Sequence, residues 1–250
     1  MAGHSKWANI KHRKGRQDAK RGKIFSRLIR ELTVAARLGG ASSEDNPRLR
    51  TALDKALSAN MTKDTIDRAI QRGSGGEEGE NLEEVLYEGY GSGGVAILVE
   101  TMTDNINRTV AEVRHVFSKA GGNLGTNGSV SYLFKKQGQI QISTSQNYEN
   151  ILDIAIESGA EDIEINPDNS LTIYTEPAKF DEVILALKNA SIELGESEIT
   201  MVPENTVVLN LDSSLSVFRL LEALEDLDDT QNVHSNAEFS EELISRIENK

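Results

Sequence analysis

Residues 139–202 read QIQISTSQNYENILDIAIESGAEDIEINPDNSLTIYTEPAKFDEVILALKNASIELGESEITMV, and this stretch decides the fold class. Its apolar residues alternate between the two-residue period of strands and the 3.6-residue period of helices. The pattern predicts strand 139–143, helix 148–158, strands 162–165 and 171–175, helix 178–190 and strand 197–202. A β-α-β-β-α-β order is typical of a ferredoxin-like α+β domain.

The segments on either side of this stretch carry the two halves of another set. Strand 95–101, helix 105–119 and strand 129–134 come before it, while strand 206–211, helix 214–227 and a weak strand near Val233 follow it. Because six elements complete a ferredoxin-like domain, we interpret residues 136–203 as a domain inserted into a second one, formed by residues 82–135 and 204–240. Two tandem domains that share strands differently are the alternative.

Residues 17–72 show helical spacing only. Apolar side chains recur at helical intervals from Ile24 to Ala36, and Gly39-Gly40 ends that run. Asn46-Pro47 is typical of an N-cap followed by the first helical residue, and Thr62 is placed to cap a third helix. The sequence therefore predicts an N-terminal three-helix domain, preceded by a basic flexible arm at 1–16 and followed by a linker, GSGGEEGEN, at 73–81.

Charge is distributed very unevenly along the 250 residues. The whole chain has a net charge of −13, but residues 1–72 hold 17 Lys and Arg against 7 Asp and Glu, a net of +10. Residues 73–250 hold 10 against 33, a net of −23. Such a basic segment predicts an electrostatic surface for a polyanion.

The first 30 residues concentrate this charge, with ten cations and one acid, Asp18. Aromatic and polar groups lie among the cations, which adds stacking and hydrogen bonding to simple attraction. The alternative is that the arm docks on the acidic remainder of the chain. The candidate nucleic-acid-binding residues are Lys6, Trp7, Lys11, His12, Arg13, Lys14, Arg16, Lys20, Arg21, Lys23, Arg27 and Arg30.

Several classes of chemistry find no support in the sequence. The chain has no cysteine, so disulfides, thiolate metal sites and a cysteine nucleophile are excluded, and the four histidines have no metal-binding spacing. Gly89-Tyr-Gly91-Ser-Gly-Gly94 matches a dinucleotide fingerprint, but it precedes a predicted strand instead of opening a helix, so we interpret it as a tight loop. We expect no cofactor, no metal, no catalytic residue and no membrane span; the sequence indicates a non-enzyme.

Two polar loops bracket the helix predicted at 105–119. Asp104 or Asn105 can cap this helix and the glycines at 121–128 can end it, which is the simpler interpretation. Both loops are nevertheless longer than capping requires. Their amides and guanidinium offer a possible secondary contact to a partner through Asn107, Arg108, Asn123 and Asn127.

The opening MAGHSKWANIKHRK (1–14), continued by QDAKRGKIF (17–25), resembles the start of the YebC/PmpR family. Further similar stretches are AARLGG (35–40), NPRLR (46–50), GGNLGT (121–126) and GSV (128–130). The resemblance covers essentially the whole chain and implies three domains, one helical and two α+β. The sequence departs from the family pattern at Ile106, where a basic residue is common, and at Asn127, where an acid is common.

Membership of this family would imply a non-enzymatic, cytoplasmic, DNA-binding transcriptional regulatory protein. It would equally allow a translation factor, because mitochondrial relatives act as translational activators and bacterial ones act on ribosomes stalled at proline-rich stretches. The motif begins at Met1, so we expect no transit peptide.

Three functions remain open from the residues themselves. The first is a regulator that holds duplex DNA through the cations of residues 6–30. The second is a ribosome- or ribosomal-RNA-binding factor, which the lack of a helix-turn-helix with base-reading side chains favours. The third is a protein-interaction module whose acidic domains bind other proteins.

Overall fold

A computed structural model of the chain describes residues 18–75, 81–143, 148–166 and 169–248. Its first three helices are α1 (Asp18–Gly39), α2 (Pro47–Ser58) and α3 (Lys63–Gly73). The predicted start of α2 is confirmed, since the Asn46 side chain accepts a hydrogen bond from the Leu49 N–H at 3.1 Å and Pro47 is the first helical residue. The Asn46 amide also donates to the Ala35 carbonyl at 2.8 Å, which joins α2 to α1.

The three helices enclose a small core of leucine, isoleucine and alanine side chains. Close packing places Gly73 against α1, because a Cβ added there would lie 2.1 Å from the Thr33 carbonyl oxygen. The sequence analysis assigned Gly73 to the linker, whereas the structure makes it the last residue of α3. The buried core residues are Leu32, Ala35, Ala36, Leu49, Ala52, Ala56, Met61, Ile66 and Ala69.

The first antiparallel sheet is built from β1 (Glu83–Tyr90), β2 (Ala96–Thr103), β3 (Asn123–Leu124) and β9 (Thr230–Ser235), in the order β3-β1-β2-β9. Helices α4 (Ile106–Lys119) and α7 (Leu211–Glu225) pack on one face. The predicted strands 129–134 and 206–211 do not join this sheet, and β3 and β1 occupy their places in the ferredoxin-like order. The sequence analysis missed β1, whose first residues are two exposed glutamates.

The second antiparallel sheet has the order β5-β6-β4-β7. Its elements follow the predicted β-α-β-β-α-β sequence: β4 (Phe134–Ile142), α5 (Tyr148–Ser158), β5 (Ala160–Ile165), β6 (Leu171–Thr175), α6 (Phe180–Asn189) and β7 (Ser197–Pro203). The ferredoxin-like prediction for this part is confirmed. The buried core residues are Ile140, Ile142, Ile151, Ala155, Leu171, Ile173, Phe180, Val183 and Leu187.

The segment 129–143 differs from its prediction. We expected two strands, 129–134 and 139–143, but residues 131–133 form a 3₁₀ turn and one strand, β4, runs from Phe134 to Ile142. The start of β4 lacks the hydrophobic alternation of a strand because it holds Lys135, Lys136 and Gln137. These three residues nevertheless pair with residues of β7, namely Val202, Met201 and Thr200.

The C-terminal part also has different boundaries. The predicted strand 206–211 shrinks to β8 (Val207–Val208), which pairs in parallel with β10 (Ala237–Glu238). Helix α7 begins at Leu211 because the Asn210 side chain accepts a hydrogen bond from the Ser213 N–H at 2.9 Å. The chain continues into α8 (Glu241–Glu248). The domain boundaries drawn from the sequence stay a prediction.

The glycine motif 89–94 lies at the turn between β1 and β2. Gly93 and Gly94 have positive φ angles of 76° and 78°, which are left-handed conformations that glycine adopts without strain. The turn precedes a strand, as the sequence indicated. No helix in the described part of the chain is long and apolar enough to cross a membrane.

Contacts between the helical region and both sheets include ion pairs and, at the first sheet, a small buried apolar cluster of Val34, Leu82 and Met102. Arg48 bonds to Glu31 at 2.7 Å and to Glu84 of β1 at 2.6 Å. Lys55 lies 3.1 Å from Glu198 of β7. The basic helical region is thus attached by ion pairs to both acidic α+β units.

Candidate nucleic-acid interface

Three of the candidate cations form a stripe along α1. Lys23, Arg27 and Arg30 are spaced four and three residues apart, so they lie on one side of the helix. They lie outside the three-helix core, as the sequence predicted, but they do not simply face solvent. Instead, this α1 stripe contacts the end of α7 and the turn that connects α7 to β9.

Oxygen atoms at the end of α7 and in the turn after it accept hydrogen bonds from these cations. Lys23 Nζ donates to the Asp226 carbonyl at 2.7 Å and to its carboxylate at 3.1 Å, and Arg27 donates to the Glu225 carbonyl. Arg30 donates to the Asp228 carbonyl at 2.5 Å. The last carbonyls of a helix lack partners inside the helix and carry partial negative charge, which explains why cations gather there.

A buried carboxylate, Asp229, anchors the same turn. Its oxygen accepts hydrogen bonds from Thr109 at 2.6 Å, from Arg108 at 2.7 Å and from Thr103 at 3.0 Å. Arg30 of the α1 stripe lies 3.1 Å from the other oxygen. Burial acts to raise the pKa of Asp229, but the hydrogen bonds from Arg108, Thr109 and Thr103 outweigh it and lower this pKa.

Two adjoining cavities open along the α1 stripe. One of about 390 Å³ is lined by Gly22, Lys23, Ser26, Arg27, Arg30, Leu227 and Asp228. The other, of about 180 Å³, is lined by Ser26, Ile29, Arg30, Thr33, Arg72 and Leu82. Because Ser26 and Arg30 line both, the two cavities adjoin along α1, and we call them together the groove; only the larger one is bordered by the acidic turn, through Leu227 and Asp228.

The four residues of the predicted secondary contact lie at opposite ends of α4. Asn107 and Arg108 are in its first turn, while Asn123 and Asn127 follow its end. Since α4 has 14 residues, about 21 Å separate the two ends. All four residues are exposed, but the structure does not bring them together.

Arg108 is already engaged within the chain. It donates to Asp229 and to Asp104, each at 2.7 Å. These hydrogen bonds, the one to Asp229 foremost, raise the pKa of Arg108. Its guanidinium therefore ties the start of α4 to the α7–β9 turn.

The loop that carries Asn127 is organised around the buried Glu88 carboxylate. This carboxylate accepts hydrogen bonds from the N–H groups of Gly128, Val130 and Ser131 at 2.6, 2.7 and 2.8 Å. Burial favours a higher pKa for Glu88, but the backbone hydrogen bonds outweigh it and lower the pKa. The loop is thus held in one shape, with Asn127 at its exposed edge.

The remaining candidate residues lie mostly outside the described part. Lys20 and Arg21 belong to the first turn of α1, and their side chains are outside the described residues. The candidate residues of the arm lie wholly outside the described residues; they are Lys6, Trp7, Lys11, His12, Arg13, Lys14 and Arg16.

The sequence analysis missed the residues that complete the groove. Arg72 lines the smaller cavity with Arg30 and forms no ion pair with any residue that the structure describes. Leu227 and Asp228 line the larger cavity from the side of the acidic turn. Arg72 lies in the basic segment, so its charge could have placed it among the candidate residues. Contacts between residues about 200 positions apart, in contrast, leave no signal in a single sequence. Within the described ranges, no group of three or more His, Asp or Glu could hold a metal ion.

Two protein-family models match the chain, one in the helical region and one in the α+β units. A family model described as the TACO1/YebC protein N-terminal domain matches residues 5–76. Another, described as the TACO1/YebC second and third domain, matches residues 82–237. The chain belongs to the TACO1/YebC family. The resemblance seen in the opening residues is thereby confirmed.

Relatives within the TACO1/YebC family match over almost the full length. A protein of Alcanivorax borkumensis named "Probable transcriptional regulatory protein" is 58% identical over 240 residues, covering 96% of this chain and 97% of the relative. The "Transcriptional regulatory protein PmpR" of Pseudomonas aeruginosa is 57% identical over 247 residues, covering 99% and 100%.

A solved structure supports the fold. The crystal structure of a conserved hypothetical protein from Aquifex aeolicus is similar with a TM-score of 0.80 and 49% sequence identity. The match covers 90% of this chain and 93% of that protein. The predicted fold class, a helical region followed by α+β units, is confirmed.

Proposed function

We propose that this member of the TACO1/YebC family is a non-enzymatic, nucleic-acid-binding regulatory protein that acts in the cytoplasm. The cations from Lys6 to Arg30 bind phosphate groups, and the acidic α+β units shape the complex or contact protein partners. The observation that carries this proposal is the separation of charge, with +10 on residues 1–72 and −23 on the remainder. A polyanion is attracted to one end of the molecule and repelled by the other.

The names of the relatives favour transcription and a DNA target. Two proteins that are 57–58% identical over nearly their whole length are named as transcriptional regulatory proteins, one of them only as probable. Phosphate contacts by the basic segment would hold duplex DNA in position without reading its sequence.

One observation favours ribosomal RNA as a second candidate. Helices α2 and α3 are joined by a short turn, as in DNA-binding helix-turn-helix motifs, where the start of the second helix approaches the bases. In this chain that start exposes two acids, Asp64 and Asp67, whose charges balance those of Lys63 and Arg68, so it offers no net attraction to DNA phosphates. An RNA partner bound mainly through its backbone does not require this helix to enter a groove.

Competition between the two partners tests the proposal. Purified full-length protein is bound to ribosomes at physiological salt, with excess duplex DNA as competitor and a variant lacking residues 1–16 as the control. Retention on ribosomes that depends on residues 1–16 assigns the function to translation, whereas removal by DNA assigns it to transcription. If the deletion binds both partners as well as the intact chain does, the proposal fails.

A further inference from the structure

The α1 stripe has an internal ligand made entirely of oxygen atoms. Lys23, Arg27 and Arg30 contact the carbonyls of Asp226, Glu225 and Asp228. Two carboxylates, those of Asp226 and Asp229, add full negative charges at 3.1 Å each. Closely spaced negative oxygens of this kind resemble, in charge and in hydrogen-bonding capacity, the phosphate oxygens of a nucleic-acid backbone.

The α1 stripe cannot bind the oxygen atoms of the turn and a nucleic-acid backbone at the same time. Each of its three cations is directed to an oxygen of the α7–β9 turn, so a phosphate group would have to take the place of that oxygen. We infer that the α7–β9 turn, residues 225–229, is an internal competitor of nucleic acid. The contact closes when the chain is free, and it opens when phosphate groups bind the α1 stripe. This inference rests on the proposed function.

The outer end of the closed contact, at Lys23, is suited to such an exchange. Lys23 and Asp226 are partly open to solvent, with side chains 41% and 73% exposed, and exposed ion pairs stabilise a fold only weakly. The larger cavity, which residues of both α1 and the turn line, leaves the contact incompletely packed. The buried apolar contact of α1 with the first sheet, formed by Val34, Leu82 and Met102, lies beyond the stripe along α1, so release of the three cations does not require it to open.

The groove also shows where a phosphate group enters. Arg72 and Arg30 line the smaller cavity, and the residues that line it include no acid. The Arg72 guanidinium adds a second positive charge to this cavity beside that of Arg30. A phosphate bound between Arg72 and Arg30 would then draw Arg30 away from the Asp228 carbonyl.

A reversible cross-link tests the inference without removing any cation. Ser26 and Leu227 line the same cavity from opposite sides, and the chain has no cysteine of its own. The double variant Ser26→Cys/Leu227→Cys is joined with a short, thiol-cleavable bismaleimide, and binding is measured before and after reductive cleavage. The probes are a mixed-sequence duplex DNA and poly(U), each titrated with salt.

Matched variants control for the chemistry. Glu242→Cys/Arg246→Cys receives the same linker within α8, where the two side chains lie 2.7 Å apart and join no separate units. Gly22→Cys/Asp228→Cys, at two positions that line the same cavity, closes the contact at a second place and keeps all three cations, so a folding failure of one variant does not prevent the test. Circular dichroism before and after cleavage confirms that the fold is kept.

The locked protein is expected to lose up to about three phosphate contacts, which flattens the slope of log K against log salt by about 2 to 3. Cleavage of the linker should restore the slope with both probes, or with only the one that is the target. Equal binding by the locked and cleaved protein overturns the internal-competitor inference and leaves the proposed function standing. If neither probe binds the wild-type or the cleaved protein, both the proposed function and this inference fail.

Discussion

Arg30 of α1 lies 3.1 Å from the carboxylate of Asp229, a side chain that is only 2% exposed. The two residues belong to oppositely charged parts of the chain, and their contact joins the basic helical region to the acidic α+β unit. Asp229 is in turn held by Arg108, Thr103 and Thr109. The orientation of the helical region therefore depends on a polar cluster inside the first α+β unit.

Replacement of this buried carboxylate is expected to destabilise the protein. In Asp229→Asn, the hydrogen bonds from Arg108 and the two threonines lose their charged acceptor, which should lower the free energy of unfolding by about 2 to 3 kcal/mol. Urea denaturation measures the change. The neighbouring exposed Asp228 is the control, and Asp228→Asn should alter stability by less than about 0.5 kcal/mol. Equal effects of the two variants would contradict the buried role of Asp229.

A single methyl group at Gly73 is expected to separate α3 from α1. The Cβ of Gly73→Ala would lie 2.1 Å from the Thr33 carbonyl oxygen, so the helices must shift, at a cost of about 1 to 3 kcal/mol. Gly22→Ala is the matched control, because no atom lies within 4 Å of a Cβ added at that position of α1. Thermal unfolding should show a lower midpoint for Gly73→Ala and an unchanged or higher one for Gly22→Ala. The reverse order would show that α1 and α3 do not pack as described.

The free energy of unfolding should fall at acidic pH, partly because Glu100 of β2 becomes protonated. Burial acts to raise the pKa of Glu100, but the His234 ring at 3.5 Å and the hydrogen bond from Asn232 at 2.8 Å bring it down to about 2. A carboxyl whose pKa is lower in the folded state stabilises the fold above its ordinary pKa, and this contribution disappears as the pH falls through the folded value. The window lies between about pH 4.5, the ordinary glutamate value, and about pH 2.

The variant Glu100→Gln isolates this effect. The difference in unfolding free energy between wild type and Glu100→Gln should be largest above pH 4.5 and should shrink toward pH 2. Glu83→Gln, an exposed position on β1, provides the control and should give a small difference at every pH. A Glu100 difference that is constant with pH would show that the His234 and Asn232 contacts do not lower its pKa.

The sequence correctly predicted those elements for which several local features indicate the same secondary structure. Asn46-Pro47 marked the start of α2, and the alternation of periods in residues 139–202 yielded the inserted β-α-β-β-α-β set. The prediction failed where pairing partners are distant. β1 begins with two glutamates, and the first half of β4 is polar, so neither shows the hydrophobic alternation of a strand. Backbone pairing with a neighbouring strand stabilises both.

The candidate interface was only partly accessible to sequence reasoning. Density of charge identified Lys23, Arg27 and Arg30, and helical spacing placed them on one side of α1. Their contacts with residues 225–229 depend on how the two units fold and meet, which the local sequence does not encode. Docking of the basic arm on the acidic remainder stays a prediction, because residues 1–16 lie outside the described part of the chain.

Salt dependence of nucleic-acid binding tests the central claim most directly. The variant Lys11→Ala/Arg13→Ala/Lys14→Ala/Arg16→Ala is compared with wild type, using duplex DNA and ribosomal RNA. A control variant removes four exposed cations from the acidic part, Arg114, Lys119, Lys188 and Arg219. The account predicts that the first variant binds orders of magnitude more weakly and flattens the slope of log K against log salt by up to about 4, at about 0.7 to 0.9 per contact. An unchanged slope, or an equal loss in the control, would contradict it.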